Sequence, residues 1–246
     1  MSIVRPLALA LGFLTRLPVP GDTREAEDVG ASLPFFPVVG AMLGVILCSA
    51  AWAAAAWFPA PLTAVGVVAL LAALTGGLHV DGLADVFDGI SGSHGDRARA
   101  LAIMRDSRVG AHGALALLLV VLAKVIGVTA ALQQQALWVI VAFPAVARWA
   151  IVPLIVCLPY VRQAGLGWSF KAHALPRHVL WATVLVAVLV LWCGAAALAP
   201  AAGTLVAALL FGHWMRRRLG GMTGDAYGAA IELGEVVFLA VACRGT

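Results

Sequence analysis

The chain has 246 residues, of which 63% are hydrophobic and 11% charged. A soluble domain carries about 25% charged residues, so a water-soluble globular fold is excluded and an integral membrane protein is expected. The net charge of +4 is accounted for by membrane topology and requires no nucleic-acid partner.

In chain order, residues 1–18 read as a short amphipathic or interfacial segment. Arg5, Pro6 and Arg16 interrupt it and no small-residue cleavage site follows, so a cleavable signal peptide is not expected. Residues 21–33 are the one clearly polar, acidic stretch and are expected to form a solvent loop. A spanning helix needs about 20 apolar residues. That criterion gives about seven spans, at 34–58, 61–80, 110–132, 137–158, 179–199, 202–215 and 226–243, the sixth being short. Cys48, Cys157, Cys193 and Cys243 are scattered through apolar stretches with no CxxC pair, which argues against a disulfide framework or a zinc site. No repeat or linker divides the chain. The expected fold is all-α: a polytopic integral membrane helical bundle in which residues 1–246 form a single membrane-embedded domain.

Orientation follows from the basic residues. Arg5, Arg16 and Arg24 precede the first span. Arg97, Arg99, Arg105 and Arg108 lie between the second and third, Arg162, Lys171 and Arg177 between the fourth and fifth, and Arg216, Arg217 and Arg218 between the sixth and seventh. The opposite loops, near 59–60, 133–136 and 200–201, are short and uncharged. The basic side is therefore expected to be cytoplasmic.

On that side Asp81, Asp85 and Asp88 fall within eight residues of a chain that has only 12 acidic residues. Their i, i+4, i+7 spacing puts them within about 60° of arc on one helical face. Crowded carboxylates repel unless a cation lies among them, and no Lys or Arg occurs between Thr75 and Arg97. Mg²⁺ suits such a set, because it takes oxygen ligands and shares itself with substrate phosphates. The plain alternative is a solvated helix end. His79 points about 160° from Asp81 on a continuous helix. It is a candidate for contact with a substrate or for packing.

Arg105 and Arg108, three apart, would share a helical face and could fork onto phosphate oxygens. A simple positive-inside loop is the alternative. Asp106 would orient an arginine or reach the metal. Farther on, Asp225 and Glu232 are seven apart and share a face, with Glu235 about 80° away. Ionisable groups inside an apolar span are costly and are functional candidates by default, so Glu232 joins Asp106 as a further possible metal ligand. Lys124 and Arg148 are intramembrane cations that either pair with these acids or touch a substrate phosphate. His112, His173, His178 and His213 lack ligand spacing and read as packing or interfacial residues. Together these residues suggest phosphoryl or nucleotidyl-linked transfer at a membrane, with a small ion-coupled transporter as the non-enzyme alternative.

Several segments carry a more specific likeness: Phe13–Pro20 (FLTRLPVP), Pro34–Gly44 (PFFPVVGAMLG), His79–Gly89 (HVDGLADVFDG), Met104–Gly110 (MRDSRVG), Arg148–Trp149 and Gly224–Ala229 (GDAYGA). In order and across nearly the whole chain they resemble the cobalamin synthase family, the adenosylcobinamide-GDP ribazoletransferases. The resemblance implies a Mg²⁺-dependent enzyme of the bacterial cytoplasmic membrane, with its active site facing the cytoplasm. The ribose hydroxyl of α-ribazole or its 5′-phosphate would attack the phosphate attached to cobinamide, and GMP would leave. Asp81, Asp85 and Asp88 would hold Mg²⁺ on the diphosphate, Arg105 and Arg108 would bind phosphate, and Asp225 would add a metal or base contribution. Implied partners are the corrinoid nucleotide, the α-ribazole substrate, membrane lipid, other enzymes of the same pathway and a second copy of the chain. The CDP-alcohol phosphotransferases are the rival enzyme class, but their DGxxAR pattern is absent: Asp85, with no arginine, follows Asp81-Gly82-Leu83-Ala84.

Overall fold

The structure is a computed structural model and describes residues 3–19, 26–162 and 165–244. Thirteen α-helices are found among them, and no named strand. In order they are α1 (Val4–Leu14), α2 (Ala26–Ser32), α3 (Phe36–Ala55), α4 (Ala60–Thr75), α5 (Leu78–Gly92), α6 (Arg97–Ile103), α7 (Ala111–Gln133), α8 (Leu137–Ala150), α9 (Val152–Cys157), α10 (Leu166–Ala172), α11 (Pro176–Cys193), α12 (Leu198–Leu219) and α13 (Gly224–Ala242).

The surface is that of a multi-pass membrane protein. On α7 the exposed face is Leu115, Leu118, Leu119, Leu122 and Ile126, while Gly113, Ala116, Val120, Gly127 and Ala131 turn inward. Large apolar side chains outside and small ones inside reverse the pattern of a soluble helix. They fit a lipid environment, where helices associate by close backbone packing. Trp57, Trp192 and Leu191 are likewise more than 70% exposed.

Five segments are long and apolar enough to cross a membrane: Asp28–Ala55, Ala111–Gln133, Leu137–Cys157, Pro176–Cys193 and Ala195–Leu219. A bent pair, α4 with α5, raises the count by length and composition to six, which fits the expected bundle of about seven; two of the expected spans differ in detail. The span expected at 61–80 is broken. Gly76 (φ 63°) and Gly77 (φ 70°) both adopt the left-handed conformation, which ends α4 at Thr75 and turns the chain by 89° into α5. The span expected at 226–243 is helix α13, which carries Asp225, Glu232 and Glu235. It is enclosed by α5, α7, α8 and α12, so its acids need not meet lipid.

Two smaller expectations also change. Residues 26–32 of the expected acidic loop are helical and pack inward through Val29 and Ser32; residues 21–25 lie outside the described set. The sixth span is not short, because α12 runs on through Arg216, Arg217 and Arg218 in its last turn, where positive charge complements the helix dipole.

The PFFPVVGAMLG segment has a packing purpose. Gly40 and Gly44 let α3 lie directly on the backbone of α8: a methyl group at Gly40 would stand 2.5 Å from the Pro144 carbonyl oxygen, and one at Gly44 would collide with Val141. This close pair holds α8, and Arg148 on it, against the central helix α13.

Candidate functional site

The acid-bearing helix begins at the Gly76-Gly77 turn, with the Asp81 N–H donating to the Gly77 carbonyl at 2.9 Å. Asp81, Asp85 and Asp88 all lie on α5, as their spacing predicts. Asp81 is exposed and the other two are half-buried. Gly82, between the first two acids, admits the start of α13. A methyl group there would stand 2.7 Å from the Asp225 carbonyl oxygen and 2.9 Å from its Cα. Asp225 is thereby brought beside Asp81 and Asp85. Thr223 caps α13 by accepting the Ala226 N–H at 3.1 Å.

The cation of this cluster is Arg162. The chain leaving α9 runs beside Met222: the Val161 N–H donates to the Met222 carbonyl at 2.9 Å, and the Met222 N–H to the Pro159 carbonyl at 2.8 Å. This two-bond clamp sets Arg162 Nη2 2.8 Å from Asp225 Oδ2, with both side chains 22% exposed. Arg162 also acts electrostatically on Asp85, together with Asp81, Asp88 and Asp225. Tyr160, in the same clamp, stacks on Tyr227 with ring centroids 6.0 Å apart. Burial pushes its phenol up, Arg162 works against that, and Asp225 adds to it.

Asp88 has a different set of partners. The Gly110 N–H donates to its Oδ2 at 2.7 Å and the Gly113 N–H to its Oδ1 at 2.8 Å, so it caps the N-terminus of α7 from outside the helix. The expected helical arginine pair is not formed. Helix α6 stops at Ile103, and Arg105 and Arg108 lie beyond it in a turn. Asp106 closes that turn by accepting the Arg108 N–H at 3.1 Å and grips the guanidinium through Nε at 3.0 Å and Nη2 at 2.6 Å. The preference of Asp for hydrogen-bonding the backbone two residues on overrides helix continuation here. The Arg108 side chain is 88% exposed. Its hydrogen bonds hold the Asp106 carboxyl down at about 2 and raise the guanidinium in turn. Asp106 is thus an arginine partner, and no contact links it to the α5 carboxylates.

Lys124, Arg148, Glu232 and Glu235 form a second charged group within the bundle. Lys124 Nζ lies 2.6 Å from Glu232 Oε2 and also bonds Glu235. Arg148 Nη1 donates to Glu235 Oε1 at 2.8 Å and to the Pro144 carbonyl at 2.9 Å. All four side chains are at most 5% exposed. Of the two expectations for Lys124 and Arg148, pairing with the acids is the one the structure has, and Glu232, a possible metal ligand by sequence, faces the Lys124 ammonium group. His79, only 4% exposed, lies close enough to feel Arg148 and Lys124, and its Nδ1 has no partner. It belongs to this buried layer and not to the exposed acid face.

Among the described residues, no three His, Cys, Asp or Glu side chains converge closely enough to hold a metal ion by themselves. A cation at the acid face needs ligands from a substrate or from water.

Nearly all of this arrangement, from Pro6 in α1 to the end of α13, falls within the match to the family model described as Cobalamin-5-phosphate synthase, which covers residues 6–243. The chain belongs to that family. Curated relatives named adenosylcobinamide-GDP ribazoletransferase agree with it. The Roseiflexus sp. (strain RS-1) protein is 41% identical over 96% of this chain and 88% of its own length. The Escherichia coli (strain UMN026) protein is 42% identical over 93% of this chain and 95% of its own, and the Shigella boydii protein is 41% identical over the same shares. No solved structure matches the chain.

Arg162 and Tyr160 are the site residues that sequence reasoning passed over. Arg162 reads as one more positive-inside residue, and nothing in its spacing points to Asp225, 63 residues away.

Proposed function

We propose that this chain joins adenosylcobinamide-GDP to α-ribazole or its 5′-phosphate, forming adenosylcobalamin or its 5′-phosphate with release of GMP. Family membership and the names of relatives that share nearly its full length support the reading. The observation that carries it at the site is the imbalance of charge: among the described residues, Asp81, Asp85 and Asp225 gather beside a single guanidinium, Arg162. A membrane phosphotransferase needs such an excess of carboxylate to accept a diphosphate together with its cation.

The donor set fits Mg²⁺. It consists of hard carboxylate oxygens, too few and too loosely placed to close round the ion alone, which is how Mg²⁺ sites shared with a phosphate substrate are built. Asp81 and Asp85, with Asp225, would hold it. When bound, the ion supplies neutralisation of the diphosphate charge. The chain's own residues do the remaining work. The close contact of α5 with α13 at Gly82 fixes the separation of Asp85 and Asp225. Asp88 anchors α7 against α5, so that the acid face keeps its place. In the transfer, a ribose oxygen forms a new bond to the phosphorus attached to cobinamide as the bond to the GMP oxygen breaks. The half-buried cluster limits the water that competes with that hydroxyl.

We place the site on the cytoplasmic side of a bacterial inner membrane, because Arg97, Arg99, Arg216, Arg217 and Arg218 are exposed in the segments at that end. The test is a reconstitution. Purified protein in lipid should release GMP from adenosylcobinamide-GDP only when α-ribazole and Mg²⁺ are both present. Release of CMP from a CDP-alcohol would support the rival enzyme class instead.

A further inference from the structure

Resting on that reading, we propose that Arg162 is a phosphate-binding residue of the site, and that it takes this role by exchanging Asp225 for the substrate's diphosphate. Four features support the exchange. Arg162 is the cation that the fold places among the carboxylates, whereas Arg108 is tied to Asp106 and almost fully exposed. A guanidinium offers five N–H donors in a planar fork. Here Nη2 is committed to Asp225 Oδ2, and the buried Nε has no partner, so donor capacity is left over at the site. Both members of the pair are 22% exposed, which leaves them open to an incoming anion. Finally, the fork is held from behind: the Pro159–Met222 and Val161–Met222 backbone bonds fix the chain on its N-terminal side.

The chemistry of the exchange is favourable on both sides. A diphosphate matches the arginine fork bidentately and carries more charge than one carboxylate. Asp225, once released, adds a hard oxygen beside Asp81 and Asp85 for the cation that accompanies the diphosphate. In the resting protein the same pair spares Asp225 an unpaired charge in a half-buried place. Arg162 therefore serves as a counter-ion before substrate arrives and as a substrate contact afterwards.

The experiment is a binding measurement on the full chain in lipid nanodiscs, with inorganic pyrophosphate as probe at fixed Mg²⁺. Arg162→Gln is compared with the parent in two backgrounds, the native protein and Asp225→Asn. In both, loss of the fork should weaken pyrophosphate binding about tenfold or more and raise KM for adenosylcobinamide-GDP more than it lowers kcat. Arg162→Lys, which keeps the charge without the fork, should fall between. If Arg162→Gln alone fails to fold because Asp225 is left unpaired, the double variant removes both charges and still decides the matter. Equal pyrophosphate affinity in Asp225→Asn with and without Arg162→Gln would overturn the proposal and leave Arg162 as a structural counter-ion. A native protein that releases no GMP would overturn the proposed function. A native protein that releases GMP while Arg162→Gln leaves pyrophosphate affinity unchanged in both backgrounds would overturn this inference alone.

Discussion

Two charged groups sit on the same central helix and solve the same electrostatic problem in opposite ways. Toward its middle, Glu232 and Glu235 face Lys124 and Arg148, two anions against two cations, almost wholly removed from solvent. At its start, Asp225 joins Asp81 and Asp85 with Arg162 as the cation paired to the group among the described residues, and the group is partly open. The buried group is balanced in charge, two anions against two cations. Among the described residues the open group is short of positive charge, with three carboxylates beside one guanidinium. A balanced buried network is a matter of folding and helix register; an unbalanced exposed one is a matter of binding. Their shared helix couples them, because the depth at which Glu235 is held sets where Asp225 meets α5.

The comparison can be broken at either end. The largest effect on turnover is expected from Asp85→Asn, which should cost about 10²–10³ in kcat, the scale of losing one preorganised electrostatic contact. The protein should stay folded in the membrane, as judged by circular dichroism. Near-normal turnover would remove Asp85 from the site.

Gly82→Ala comes next. The added methyl meets the Asp225 carbonyl at 2.7 Å, so α5 and α13 must part. Overpacking should cost about 1–3 kcal/mol in stability, and a displacement of about 1 Å should cost about 10²-fold in turnover. Unchanged kcat would mean that the two acid-bearing helices need not touch.

Glu235→Gln tests the buried group. Leaving Lys124 and Arg148 short of an anion should cost about 3–5 kcal/mol, read as a lower midpoint in thermal or denaturant unfolding. KM of the surviving folded fraction should stay near that of the parent. A shift in KM without loss of stability would move Glu235 from folding to substrate contact.

Asp88→Asn should be milder than Asp85→Asn. Asp88 accepts the two N–H groups on different oxygens, and Asn puts an NH₂ donor in place of one of them. About 1 kcal/mol of stability should be lost, with a smaller drop in turnover. A loss of turnover equal to that of Asp85→Asn would return Asp88 to the metal-binding set.

The smallest effect belongs to Arg108→Ala. Asp106 is held at about 2 by hydrogen bonds from Arg108. Its depressed value means that this interaction is present above the ordinary carboxylate range, near about 4, and is lost as pH falls through about 2. Removing the arginine side chain should raise the Asp106 titration toward the ordinary range near about 4 in a carboxyl-carbon NMR titration, the backbone N–H of residue 108 still holding part of the shift, with little change in turnover. A large loss of activity would restore Arg108 as a phosphate ligand.

Much of the fold was legible because its causes are local. Hydropathy marks the helices, and the period of the α-helix places Asp81, Asp85 and Asp88 on one face without reference to anything else. The break of the second span was visible as Gly76-Gly77, although an apolar run on both sides disguised it as one helix. The roles within the acid face were not legible. Asp88 differs from Asp85 only because Gly110 and Gly113 come to it from 22 and 25 residues away. The three-residue spacing of Arg105 and Arg108 suggests a helix that the Asp106 turn prevents.

What the sequence determined by itself is therefore the class of molecule and its local geometry: an all-helical membrane protein with an acidic helical face among family motifs. Only the tertiary structure decided which charges meet. Lys124 finds Glu235 across 111 residues and Arg162 finds Asp225 across 63. The reason is physical. Helix period is set by bonds along the chain, whereas ion pairing depends on distance through space and on burial, and both are fixed by how the helices pack.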